Sequence, residues 1–285
     1  MPHRLTAALF CTALACMVTA QAQESSAAEK VNKPDKPDKP DADENIRYLL
    51  GASLAIGPEY DGSSRQRVKI KPLWAAKIGR FRIATSGGSA LLGFGRDGAG
   101  PGASTQLIER DKWRLGVSLR VDSGRDSGDA RSTQGLPDVK RTLRARVYVN
   151  YSLTPDWNLG ASLSQDVLGR QGGLTGSVDL GWRFYRSEHT EWSTGLGVSA
   201  ANAQNLRSYF GVPASATAST GKPAYEPGAG LRDVHFGFGF KHALSKHWFL
   251  FGGAGTSRLL GPAADSPLVQ KTGSAAAGLG VAWRN

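Results

Sequence analysis

The chain has 285 residues, with 35 Lys and Arg against 24 Asp and Glu, which gives a net charge of +11. A basic balance can indicate nucleic-acid binding, but the basic residues here are spread along the chain instead of being gathered in a tail. Together with the export signal described next, this distribution excludes nucleic acid and favours lipid, lipopolysaccharide phosphates, anionic solutes or an acidic protein as partners.

The N-terminus has the features of a secretory signal. An almost uncharged apolar run over 5–20 follows a short basic head, and Ala20-Gln21-Ala22 has the small-x-small pattern that signal peptidase reads. We predict a signal peptide over residues 1–22, cleaved between Ala22 and Gln23.

Both cysteines lie within this signal segment. Cys11 and Cys16 therefore leave with it, and the mature chain has no disulfide, thiolate metal site or cysteine nucleophile. A lipoprotein signal that ends at Cys16 is the less favoured alternative, because apolar residues continue past this cysteine. A membrane anchor is also disfavoured, because the apolar run is shorter than the ~20 residues that a spanning helix needs.

Residues 23–44 lack the apolar side chains that a folded core needs. They include a threefold Lys-Pro-Asp repeat over 33–41, in which each unit carries one positive charge, one negative charge and one proline. Such a composition predicts a disordered periplasmic linker. The linker would act either as a spacer or as a tether toward a periplasmic partner.

Apolar and polar residues alternate with a period of two through residues 45–285. In one segment, for example, Leu115 and Val117 alternate with Arg114 and Ser118. Because successive side chains of a strand face opposite sides, the pattern predicts strands. The alternation recurs about twelve times, with ten as the alternative count, and glycines blur the strand boundaries between Arg80 and Leu107.

The connections between these strands alternate in length. Short ones lie near 76–80, 109–112, 154–156, 187–190 and 244–246. Long ones, rich in Gly, Ser, Asp and Pro, lie near 58–64, 123–140, 166–173, 202–230 and 259–271. Bacterial outer-membrane barrels have short periplasmic turns and long external loops, whereas a soluble sandwich has no reason to sort its loops by length. We therefore predict an all-β fold, a transmembrane antiparallel up-and-down β-barrel in the outer membrane.

The positions of the tryptophans are an independent indication of a membrane barrel. All seven fall toward strand ends near a short turn or the C-terminus: Trp74, Trp113, Trp157, Trp182, Trp192, Trp248 and Trp283. An aromatic belt at one membrane interface would have this distribution, whereas tryptophans in the core of a soluble sandwich would more often lie mid-strand.

The polar face of the strands should line the barrel interior. Ten basic residues lie on it: Arg67, Lys69, Lys71, Arg82, Arg114, Arg120, Arg144, Arg146, Arg183 and Lys241. The acids that could neutralise them are Asp122, Asp166 and Asp179 on the same face, and loop residues such as Asp126, Asp129 and Glu226. The excess predicts a lumen that favours anions, unless inward-folded loops bring in enough acids to neutralise it.

Four motifs, in this order, resemble those of the MipA/OmpV family. They are Gly57-Pro58-Glu59-Tyr60-Asp61-Gly62-Ser63, Val121-Asp122-Ser123-Gly124-Arg125-Asp126, Ser208-Tyr209-Phe210-Gly211-Val212, and Arg258-Leu259-Leu260-Gly261-Pro262-Ala263-Ala264-Asp265-Ser266-Pro267. The resemblance implies an outer-membrane scaffold for murein (peptidoglycan) synthesis, which brings a lytic transglycosylase together with a bifunctional penicillin-binding protein. Other relatives are described as outer-membrane antigens or adhesins.

The sequence gives little support for catalysis. No spacing of His, Asp and Glu suggests a metal site or an acid–base pair, and no cofactor motif is present. His235 could face inward near a serine, but nothing identifies that serine. The loop from Tyr209 to Val212 would either contact a partner or plug the barrel mouth, and Arg258 could pair with Asp265. We expect a scaffold, with a small anion-favouring channel or a surface adhesin as alternatives.

Overall fold

The computed structural model describes residues 46–85 and 100–285. The predicted signal peptide, its cleavage site and the Lys-Pro-Asp linker lie outside these residues. The described part contains twelve strands: β1 (Ile46–Pro58), β2 (Gln66–Ile78), β3 (Phe81–Ala84), β4 (Gly102–Arg110), β5 (Trp113–Asp122), β6 (Thr142–Ser152), β7 (Trp157–Asp166), β8 (Leu174–Arg186), β9 (Thr190–Ala201), β10 (Gly230–Ala243), β11 (Trp248–Leu259) and β12 (Gly273–Arg284).

Each strand pairs antiparallel with its neighbours in sequence, and β12 pairs with β1, so the sheet closes into a barrel. This confirms the predicted fold class and the count of twelve strands. The stretch with blurred boundaries contains the short strand β3, and β4 begins at Gly102.

Apolar side chains cover the outside of the barrel. Leu54 lies in register between Leu279 on β12 and Ile70 on β2, and these three side chains are 54%, 52% and 79% exposed. A continuous surface of this kind is unfavourable in water and is typical of a barrel that faces lipid. No helix in residues 46–85 or 100–285 is long and apolar enough to cross a bilayer.

Aromatic side chains cluster on the outer surface near the short turns. Trp157 stacks on Trp182 with ring centroids 5.2 Å apart, and Trp113 lies 4.5 Å from Tyr151 on the adjacent strand. Five of the seven tryptophans are more than a third exposed, as side chains at a membrane interface would be and core side chains would not. The predicted aromatic belt is therefore present at the short-turn end.

Most of the largest fully buried side chains lie in the long loops, and Asp233 of β10 is the exception among the described residues. These loops contain helices α1 (Ala203–Phe210), α2 (Thr217–Thr220) and α3 (Gly261–Ala264), and short 3₁₀ turns at Ser127–Asp129, Arg131–Thr133 and Ala214–Ala216. Five described long connections, 59–65, 123–141, 167–173, 202–229 and 260–272, pack together at one end of the barrel. We call this layer the cap.

Candidate functional site

The register places all ten predicted basic residues on the inward face. Five of them line an internal cavity of about 490 Å³: Arg82, Arg114, Arg120, Arg146 and Arg183. Arg67, Lys69 and Lys71 border a second space of about 400 Å³ on the opposite side of the lumen. Arg144 and Lys241 lie outside both, the first beneath the cap and the second near the short turns.

The lumen contains more acidic side chains than the sequence predicted. Glu191 and Asp156 lie 3.6 Å and 3.3 Å from the guanidinium of Arg183. The loop residue Asp129 pairs with Arg67, as the alternative prediction of neutralisation by loops would require. Asp233, at 0% exposure, is also inward-facing and was missed, because a register shift between β9 and β10 obscures the alternation there.

The wall of the larger cavity combines arginines on one side with small residues on the other. The Tyr148 ring lies over Gly116, where a Cβ atom would clash with the phenol group. Facing it, Gly160, Gly181 and Gly195 leave open space between β7 and β9. This asymmetry creates a cavity large enough for a small molecule, within the range of about 300–1,000 Å³ that ligand pockets occupy.

His235 lies on the same wall, between two carboxylates. Its Nε2 is 2.8 Å from Asp179 and its Nδ1 is 3.0 Å from Asp233, which also accepts a hydrogen bond from Ser199 at 2.6 Å. Gly197 lies beneath the Asp179–His235 contact, and any side chain there would clash with both.

This arrangement does not provide a Ser–His pair for hydrolysis. Both ring nitrogens of His235 face carboxylate oxygens, which leaves neither nitrogen to accept a proton from a serine. Within residues 46–85 and 100–285, no group of three His, Asp or Glu side chains is arranged to hold a metal ion. The geometry therefore fits a structural polar network.

Two apolar clusters form the core of the cap. In the first, Leu206 and Phe210 of α1 pack against Leu259 and Ala263. In the second, Leu136, Val212, Ala216 and Leu268 join three different loops. Phe210 and Val212 are 1% and 0% exposed, which corresponds to the plug interpretation of the Tyr209–Val212 motif.

Polar contacts tie α1 to the barrel wall and to neighbouring loops. The Tyr209 hydroxyl donates to the Asp122 carboxylate at 3.1 Å, and Arg125 donates to the Tyr209 carbonyl at 2.9 Å. Ser266 donates to the Phe210 carbonyl at 2.6 Å. Burial of the phenol, assisted by the negative charge of Asp122, raises the pKa of Tyr209 above its ordinary value.

The first loop is fastened to the last one. The Tyr60 hydroxyl donates to the Leu268 carbonyl at 3.0 Å, and the backbone N–H of Gln270 donates to the Gly62 carbonyl at 2.8 Å. Gly62 has a φ of 99°, a backbone conformation that favours glycine. Burial raises the pKa of Tyr60.

Most predicted motif residues thus lie in the cap, whereas Pro58 lies in β1 and Arg258 lies in β11. Pro58 ends β1, Gly211 follows α1 where a Cβ atom would clash with the Arg207 carbonyl, and the Pro267 carbonyl accepts a hydrogen bond from Lys222 at 2.9 Å.

The predicted Arg258–Asp265 pair is wrong: both side chains are exposed and no ion pair joins them in the described loop. The reason is the register, since Arg258 has the outward-facing parity of β11, whereas Asp265 follows α3 in the cap.

Residues 50–285 match the family model described as MltA-interacting protein MipA. Among solved structures, the chain is similar to OmpT of Vibrio cholerae, with 8% identity, 84% of this chain and 97% of that chain covered, and a TM-score of 0.37. It is also similar to the outer membrane channel DcaP of Acinetobacter baumannii (9%, 85% and 96%, TM-score 0.39). A third similar structure is the toluene transporter TbuX of Ralstonia pickettii, with 12% identity, 85% of this chain and 89% of that chain covered, and a TM-score of 0.39. No curated protein sequence matches the chain.

Proposed function

Because the chain belongs to the MipA family, we propose that it is an outer-membrane scaffold that holds murein-remodelling enzymes at its periplasmic end. The family model is named for an interaction with MltA. For this chain, the corresponding role is to bring a lytic transglycosylase and a bifunctional penicillin-binding protein together. The closed barrel with an apolar outer surface supports its placement in a bilayer, with the short turns toward the periplasm.

The contrast between the two barrel ends is the observation that most supports this proposal. The cap buries two apolar clusters and binds loop to loop, and its half-exposed apolar side chains Val167 and Leu168 lie in a single loop. At the short-turn end, Leu153 and Leu244, in two different turns, are 43% and 57% exposed. The chain enters β1 and leaves β12 at this same end.

Two short turns at this end are joined into one surface. The Ala243 amide donates to the His189 carbonyl at 2.7 Å, which connects the β8–β9 turn to the β10–β11 turn. Around this bond lie the exposed side chains of Arg186, Leu244 and Lys246. We call residues 186–189 and 244–247 the rim patch. The rim patch combines the basic side chains of Arg186 and Lys246 with Glu188 and an exposed leucine, which fits a protein partner that has charged groups, acidic ones in excess, around an apolar contact.

The experiment is capture of two purified enzymes, a lytic transglycosylase and a bifunctional penicillin-binding protein, by the detergent-solubilised barrel. Reversing two charges of the rim patch, Arg186→Glu with Lys246→Glu, should lower capture at least tenfold. Capture by the unchanged protein should also weaken as salt is raised, because exposed charges are screened.

The matched control reverses two exposed charges of the cap, Arg131→Glu with Lys140→Glu, and should leave capture unchanged. The scaffold proposal is wrong if the unchanged protein captures neither enzyme. If the cap variant loses capture and the rim variant does not, the enzymes bind at the other end and the rim patch is not the surface.

A small anion-favouring channel is the second candidate, and the arginines of the lumen favour it. Reversal potentials in a planar bilayer distinguish the two functions. Conductance with anion preference would support the channel, whereas no conductance, or cation preference, would exclude it. The interlocked cap, which lies across the long-loop end, disfavours permeation through the described loops.

A further inference from the structure

The larger internal cavity has a charge excess that the proposed scaffold does not use. Five arginines line it, against the three acids Asp156, Asp179 and Glu191. Two of these acids already face Arg183, and Asp179 contacts His235. Asp179 also acts electrostatically on Arg146, so the three acids are committed to Arg183, Arg146 and His235.

Arg82 on β3 and Arg114 on β5 are the clearest part of this excess. Neither forms an ion pair with another of the residues that the structure describes. In the sheet register, Arg82 pairs with Ser104 on β4, and Ser104 pairs with Ser118 on β5. Two short hydroxyl side chains thus separate Arg82 from Arg146 on β6, which leaves room in front of the guanidinium groups. Guanidinium groups held on rigid strands bind carboxylates and phosphates well, because the planar fork matches their oxygens.

The opposite wall contains buried polar atoms without a hydrogen-bond partner. They are Asn158 Oδ1 on β7 and Ser193 Oγ on β9, and both residues line the cavity. Buried polar atoms are usually hydrogen-bonded, so each of these needs a partner in the cavity. An amide oxygen can only accept a hydrogen bond, and a hydroxyl group on a bound molecule would donate one to it.

The cavity extends from the β6–β7 turn, where Thr154 and Asp156 border it, to His235 on β10. Tyr148 adds an aromatic wall with the Arg146 guanidinium 6.0 Å from its ring centroid. From the basic wall, the unpaired acceptors and the size, we propose that this cavity binds a small hydroxylated anion, such as an acidic or phosphorylated sugar, that enters from the short-turn end. The anionic group contacts Arg82 and Arg114, and the hydroxyl groups contact Asn158 and Ser193.

Isothermal titration calorimetry on the purified barrel in detergent tests this assignment. The probes are glucuronate, glucose 6-phosphate, neutral glucose and inorganic phosphate. At least one charged sugar should bind ten times more tightly than glucose and more tightly than phosphate. Equal affinity for glucose and both charged sugars would refute the role of the arginines. Phosphate binding as tight as that of the sugars would refute the role of the hydroxyl contacts.

Variants locate the site. Arg82→Gln with Arg114→Gln should weaken binding of the charged sugar at least tenfold. The control, Lys69→Gln with Lys71→Gln, removes the same charge from the other side of the lumen and should change affinity less than threefold. Equal losses in the two variants would show general attraction and overturn the site. Heat-modifiable gel migration verifies that each variant is folded, and the comparison of probes on the unchanged protein tests the proposal without any variant.

Discussion

Phe210 provides the strongest test of the cap as a folded unit. Its side chain is 1% exposed, packs in the first apolar cluster with Leu206, Leu259 and Ala263, and lies 5.8 Å beneath the guanidinium of Arg232. Replacing a buried phenylalanine by alanine costs about 3–5 kcal/mol, from lost burial and the cavity left behind. The Phe210 carbonyl, which accepts from Ser266, is unaffected because it belongs to the backbone.

This cost should act on the cap alone. The cluster includes Ala201 and Leu259 at the ends of two strands, but the hydrogen bonds that pair the strands do not involve Phe210, so the loops can open while the strands stay paired. At about 1.4 kcal/mol for each factor of ten, Phe210→Ala should raise the population of open cap roughly 100- to 4,000-fold. Digestion of the folded protein with trypsin measures this population, because Arg207, which Ser208 follows, lies within helix α1 of the loop 202–229 and is cleaved only when this helix opens.

The matched control is Leu168→Ala, which truncates a loop side chain that is 52% exposed. Its cleavage rate should stay within about threefold of the unchanged protein, because surface substitutions usually have little effect. If Phe210→Ala is cleaved no faster than this control, the buried cluster does not hold the loops together. Heat-modifiable migration should be the same for both variants, since the barrel strands are unchanged.

Two other predictions concern pH and the polar network. Because its pKa is raised in the folded state, Tyr209 contributes stability that is present below pH ~10 and is lost as pH rises above it. Thermal unfolding at pH 8 and 11 should therefore show a smaller alkaline loss in Tyr209→Phe, and an equal loss in both proteins would contradict this. Gly197→Ala should destabilise the barrel by about 1–3 kcal/mol, because the added Cβ atom displaces the Asp179–His235 contact. Urea unfolding compares it with Gly181→Ala, where the nearest atom is 3.9 Å away, and equal effects would rule out this steric cause.

The two-residue period was sufficient to predict the barrel because the two faces of each strand lie in different environments. The outer face contacts lipid and the inner face contacts polar groups, so apolar and polar side chains alternate, as outward-facing Leu54 and Ile70 illustrate. The stretch between Arg80 and Leu107 was the weakest part of the prediction because its glycines blur the strand boundaries. The ten inward-facing basic residues followed from the same parity argument.

The contacts of the cap could not be derived in this way. Loops have no period, so nothing in the sequence pairs Tyr60 with Leu268 or Tyr209 with Asp122. The acid Asp233 was missed because the bulge beside it breaks the alternation. The family motifs name residues without their partners, and the structure shows no ion pair between the described residues Arg258 and Asp265, which are both exposed.

The junction of β1 with β12 affects the lifetime of the protein in the membrane. It pairs Leu49 with Arg284 and Ile56 with Ala277, so residues from opposite ends of the chain complete the ring of hydrogen bonds. Removing any one strand would leave two rows of unpaired amide and carbonyl groups within hydrocarbon, where neither water nor lipid can satisfy them. Partial extraction therefore has no stable intermediate. Once the ring has closed, we expect the protein to leave the bilayer as a whole or not at all.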